Sequence, residues 1–80
     1  MSKLIAVDAV NHPYHYTQGG IECIDAIAAA THNLQGMEAV CVSQVIKYTW
    51  RYKRKNGVED LRKAQWYINK LIETLEKQNG

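Results

Sequence analysis

The stretch Val58-Glu59-Asp60-Leu61-Arg62-Lys63-Ala64-Gln65-Trp66-Tyr67-Ile68-Asn69-Lys70-Leu71-Ile72-Glu73-Thr74-Leu75-Glu76 decides the fold. At about 100° per residue, Leu61, Ala64, Ile68, Leu71, Ile72 and Leu75 fall on one stripe in near-heptad spacing, which predicts a helix from Val58 to Glu76. Glu59 and Asp60 stand in its first turn, where negative charge meets the positive end of the helix dipole. Trp66 lies almost opposite the stripe, among Arg62, Lys63 and Lys70. There a monomer leaves a large ring in water, unless lysine stems, a ligand or a second subunit cover it.

Upstream, Asn56-Gly57 supplies a stop, since both residues tolerate the left-handed conformation. A helix beginning near Met37 runs up to it. Its last turns carry Lys47-Tyr48-Thr49-Trp50-Arg51-Tyr52-Lys53-Arg54-Lys55, five cations and three aromatics in nine residues. Helical spacing puts Lys47, Arg51 and Arg54 on one face, with Ser43 and Gln44 below and Lys55 at its edge. Tyr48 and Trp50 flank that face on opposite sides, and Val42, Val45, Ile46 and Thr49 form the expected buried back. Cations bordered by rings suit the stacking of a base and the neutralisation of its phosphate. The plainer alternative is a solvated charged face with the aromatics in partial core.

Further upstream, Ile21, Ile24, Ile27 and Ala28 recur at helical spacing, with Glu22 and Asp25 in the first turn, so a helix is expected from Ile21 to Thr31. The segment 11–20, with His12, Pro13, His15, Tyr16 and the Gly19-Gly20 pair, reads as an ordered loop presenting its histidines. Residues 1–10 read as an arm, either a short strand or a segment packing on a partner subunit. The expected fold class is all-α, a small three-helix domain spanning 21–76 with an N-terminal arm and loop. Eighty residues bury a small share of their surface, so a homo-oligomer is expected.

Net charge is only +2, yet seven of the ten basic residues lie between Lys47 and Lys63. That clustering favours a local anionic ligand over general attraction to nucleic acid. Cys23 and Cys41 sit inside apolar helical patterns and read as free buried thiols in a reducing setting. No apolar run reaches the roughly 20 residues that span a bilayer, and the first residues lack a secretory signal. A cytoplasmic protein is expected, in the host cell if phage-encoded.

His12, His15, Cys23, His32 and Cys41 match no zinc spacing, and neither a metal nor a cofactor is expected. The loop histidines read as hydrogen-bond donors to a phosphate or base, or as groups that order the loop. Gly19-Gly20 is followed by no lysine, which argues against a phosphate-binding loop of the Walker type. A magnesium site on Glu59 and Asp60 competes with the simpler dipole role of both residues.

Two stretches, Val10 to Tyr16 and Val45 to Ala64, together resemble the SaV-like family of small phage proteins, with coverage from Val10 to Leu75. That family has a podoviral nucleotide kinase, a larger protein, among its relatives. The chain is also similar to small phage proteins that sequester cyclic nucleotide immune signals. The resemblance implies a phage origin, a link to nucleotides, and functional positions at Asn11, His12, Pro13, His15 and Tyr16, and at Lys47, Tyr48, Trp50, Arg51, Tyr52, Lys55 and Asn56 to Asp60.

The leading expectation is therefore a nucleotide-binding protein that sequesters a cyclic di- or oligonucleotide without chemistry. Its site would comprise Asn11, His12, His15, Tyr16, Lys47, Tyr48, Trp50, Arg51 and Lys55. Lys47, Arg51 and Lys55 would neutralise phosphates, Tyr48 or Tyr16 would stack a base, and His12 or His15 would bond a phosphate or base edge. One alternative is a nucleotide kinase or phosphohydrolase using His12 or His15 as acid or base with magnesium on Glu59 and Asp60. Another is an accessory factor binding single-stranded nucleic acid or protein through the same face.

Overall fold

The basic, ring-bordered segment is positioned by a helical hairpin, which a computed structural model describes over residues 17–79. The order of elements is β1 (Thr17–Gln18), β2 (Ile21–Glu22), α1 (Cys23–Ala30), α2 (Gly36–Arg51), a 3-10 turn (Tyr52–Arg54) and α3 (Val58–Asn79). The described chain is thus mostly helical, with three α-helices and one small antiparallel sheet. The arm and the loop residues Asn11, His12, Pro13, His15 and Tyr16 lie outside the described residues.

Gly19-Gly20 forms a hairpin turn where an irregular loop is expected. Both glycines have positive φ, 58° and 78°, as the commonest two-residue hairpin turn requires. Thr17 pairs with Glu22 and Gln18 with Ile21. Because Ile21 and Glu22 belong to this ladder, α1 starts at Cys23, two residues later than its period suggests. The hairpin is fastened to the end of α2. Gln18 Nε2 donates to the Trp50 carbonyl at 3.0 Å, and Arg54 Nη2 donates to Gln18 Oε1 at 2.9 Å.

The α2 helix lies between the other two, packing more extensively on α3 than on α1, while α1 and α3 share little contact. Such an open arrangement buries little. Cys23, Cys41 and Ala64 are the buried apolar side chains among the described residues. Ile21 and Ile24 of the expected helix-one stripe stay out, Ile24 at 65% exposure. Val42, Val45 and Ile46 are half-buried and Thr49 is exposed, so the expected back of α2 is only partly covered. No helix of the described residues is long and apolar enough to cross a membrane.

At the turn between α2 and α3, Gly57 adopts φ +56° and its N–H donates to the Tyr52 carbonyl at 2.8 Å, closing the end of the helical run. The reversal makes α2 and α3 antiparallel: Arg51 meets Asp60 near the turn, and Tyr48 meets Tyr67 further out.

Candidate functional site: an aromatic and cationic groove between α2 and α3

Arg51 shares a helical face with Lys47 in sequence, but it does not stand in a basic front open to solvent. It is 7% exposed, and its guanidinium grips Asp60 with two bonds, Nε to Oδ2 at 3.1 Å and Nη2 to Oδ1 at 3.2 Å. Asp60 is fully buried and also accepts from the Asn56 backbone N–H at 3.4 Å and from Asn56 Nδ2 at 3.3 Å. Burial alone would push the Asp60 carboxyl up. The bonds from Arg51 and Asn56, with the Arg51 charge, outweigh that and hold it below the usual carboxylate range. Asp60 is therefore more than a dipole partner at a helix start, and its oxygens are committed to protein donors. Glu59, beside it, points out and lies 3.7 Å from Lys63.

Arg51 does act on the aromatic segment. Its Cζ sits 5.0 Å from the Tyr48 ring centroid, while Lys47 Nζ and Lys63 Nζ lie 5.2 Å and 5.5 Å from the same centroid. The ring quadrupole attracts each cation, so Tyr48 gathers positive charge from both helices.

Tyr48 also stacks on Tyr67 across the helix pair, with centroids 6.1 Å apart and planes 18° apart, and Trp66 meets Tyr67 edge-on at 5.0 Å and 81°. Tyr48, Lys63, Trp66 and Tyr67 line an open groove of about 330 Å³, at the small end of the range for ligand pockets. Trp66 is 60% exposed. Its ring is therefore available to a flat ligand, whereas Tyr48 is hemmed in by cations and by Tyr67.

Of the expected site residues, Lys47, Tyr48 and Arg51 come together here, Arg51 as a buried brace. Trp50 is half-buried away from the groove, its indole N–H buried with no acceptor among the described residues, and Lys55 is exposed beyond the 3-10 turn without lining the groove. Asn11, His12, His15 and Tyr16 lie outside the described residues. Sequence reasoning did not assign Lys63, Trp66 and Tyr67 to the site, although the unexplained exposure of Trp66 was a pointer to it. Among the described residues, no three His, Cys, Asp or Glu side chains gather in a way that could hold a metal ion.

Residues 10–69 match a family model described as a protein of unknown function, DUF3310. The chain belongs to the DUF3310 family. No curated protein and no solved structure gives a significant match. The DUF3310 region contains the whole groove and the Arg51–Asp60 pair, and it ends where α3 continues past Tyr67.

Proposed function

We propose that this DUF3310 protein binds a small nucleotide in the groove between α2 and α3 and holds it without chemical change. The observation that carries the reading is the convergence of Lys47 and Lys63 on the Tyr48 ring beside the exposed face of Trp66. A phosphate would lie between the two ammoniums, displacing the weak surface pairing of Lys63 with Glu59, and a base would lie on Trp66. Stacking at about 1–3 kcal/mol and charge-assisted bonds at about 1.5–3 kcal/mol each approach what micromolar affinity requires, about 8 kcal/mol. The resemblance to the SaV-like family extends the proposal to a phage setting, where retention of a cyclic di- or oligonucleotide signal would blunt host defence. Asp60 speaks against magnesium-assisted turnover on Glu59 and Asp60, because its carboxylate is enclosed by Arg51 and Asn56.

The test is titration with a nucleoside monophosphate, cyclic dinucleotides and oligonucleotides of increasing length, followed by denaturation and chromatography of the released compound. Saturable binding of a mononucleotide or cyclic dinucleotide, released unaltered and lost in Lys63→Ala and Trp66→Ala, is expected. A converted product, absence of binding across the panel, or affinity that grows with oligonucleotide length and collapses with salt would each overturn the proposal.

A further inference from the structure

The α3 helix divides into two flanks. Every charged residue from Arg62 to Lys77 lies on the side that includes Trp66 or at its borders, while Leu61, Gln65, Ile68 and Ile72 form an uncharged strip on the side turned away from it. Leu61, Ile68 and Ile72 are 39%, 41% and 49% exposed on that strip. Neither α1 nor α2 covers it. Leu61, Ile68 and Leu75 repeat every seven residues, the spacing at which one helix seats against another.

We propose that this strip is the interface for a second copy of the chain, with the two α3 helices packed antiparallel about a two-fold axis near Ile68 and Asn69. The charges beside the strip select both partner and direction. Arg62, Asn69 and Glu76 occupy one heptad position along its edge, all three are exposed, and neither Arg62 nor Glu76 is in an ion pair among the described residues. In an antiparallel two-fold pair this edge meets itself in reverse order. Arg62 then faces Glu76 of the other copy at both ends, and the two Asn69 side chains meet at the axis. The apolar series is symmetric in the same sense, with Leu61 opposite Leu75 and Ile68 opposite Ile68. A parallel pair would instead turn the charged edge toward the junction of α2 and α3 on the other copy and leave Arg62 and Glu76 unmatched. The groove with Trp66 stays on the outer side, so both copies keep it open.

Sedimentation and light scattering on the full chain test the assignment. Twice the 9.1 kDa chain mass is expected, falling to the single-chain mass in Ile68→Lys and unchanged in Trp66→Ala. Arg62→Glu should weaken the dimer at least several-fold, and Arg62→Glu combined with Glu76→Arg should restore it, both at exposed positions where folding is not at stake. Asn69→Cys should form a covalent dimer on mild oxidation. A wild-type mass of one chain at high micromolar concentration, as would arise if another part of the chain covered the strip, overturns the proposal. So does a dimer indifferent to Ile68→Lys, a charge reversal without rescue, or an Asn69→Cys variant that does not cross-link.

Discussion

Replacing Arg51 by alanine strands the Asp60 carboxylate in a site with no access to water, leaving it only the two longer bonds from Asn56. Removing one member of a buried ion pair costs about 3–5 kcal/mol. A domain of this length has a total stability of about 4–12 kcal/mol at 0.05–0.15 kcal/mol per residue. The single change would thus remove about a quarter or more of it, and each kcal/mol lowers the thermal midpoint by about 4–8 °C in this size class. Asp60→Ala should also destabilise, because it takes from the buried guanidinium its paired carboxylate. The informative variant is the double replacement Arg51→Met with Asp60→Leu, which removes both charges and keeps the volume. It should lie closer to the parent than either single alanine variant, short of it by the bonds that Asn56 and the Arg51 guanidinium lose. Urea unfolding followed by circular dichroism at constant pH gives all the values, with the alanine pair completing the cycle. Single-variant losses below about 1 kcal/mol, as for an exposed pair, or strict additivity of Arg51→Ala and Asp60→Ala, would refute the view of this pair as a buried brace.

The same carboxylate sets an acid limb. Its folded value lies below the ordinary 3.8, so its contribution is complete above that pH and is lost as pH falls through the lower folded value; Asp60→Asn should be less stable above that limb, draw level with the parent in strong acid, and lack the limb in denaturant midpoints measured across the range. Gly57→Ala should destabilise by about 1 kcal/mol, since an L side chain at φ +56° is strained even with open space around it, and a midpoint equal to the parent's would contradict the turn geometry. Thiol labelling should be slow for both cysteines in the native protein and complete in urea, because Cys41 is fully buried and burial pushes the Cys23 thiol up, with Lys47 pulling weakly the other way. Rapid native labelling would contradict the packing of α1 on α2. Lys47→Ala and Trp66→Ala should leave stability within about 0.5 kcal/mol of the parent, as expected of exposed or half-exposed positions, while nucleotide affinity falls at least tenfold; unchanged affinity would separate the groove from the ligand.

The α3 helix was legible because its apolar period is long and unbroken, and the stop at Asn56-Gly57 because left-handed backbone has few tenants. The β1–β2 hairpin was hidden, since arms of two residues carry no alternation to detect, even with Gly-Gly between them. Arg51 shows the deeper limit of helical periodicity. A period assigns residues to faces of one helix, and it says nothing of which face a neighbouring helix will cover. Arg51 and Lys47 share a side, yet α3 closes over the first and leaves the second at the rim. The usable signal was the turn itself: residues on either side of Asn56-Gly57 must oppose one another in an antiparallel pair. That brings the last turns of α2 against the first turns of α3, where Arg51 meets Asp60 and Tyr48 meets Tyr67, the neighbour of Trp66.

The bond from Gln18 to the Trp50 carbonyl joins positions 32 residues apart, whereas Arg51 and Asp60 are separated by nine. Closing the larger ring of chain is entropically harder than closing the short one. The pair α2–α3 should accordingly assemble early and the β-turn should dock last, which makes that latch the first to open under load. Amide protons of Thr17 to Glu22 are then expected to exchange well before those around Cys41 and Ala64.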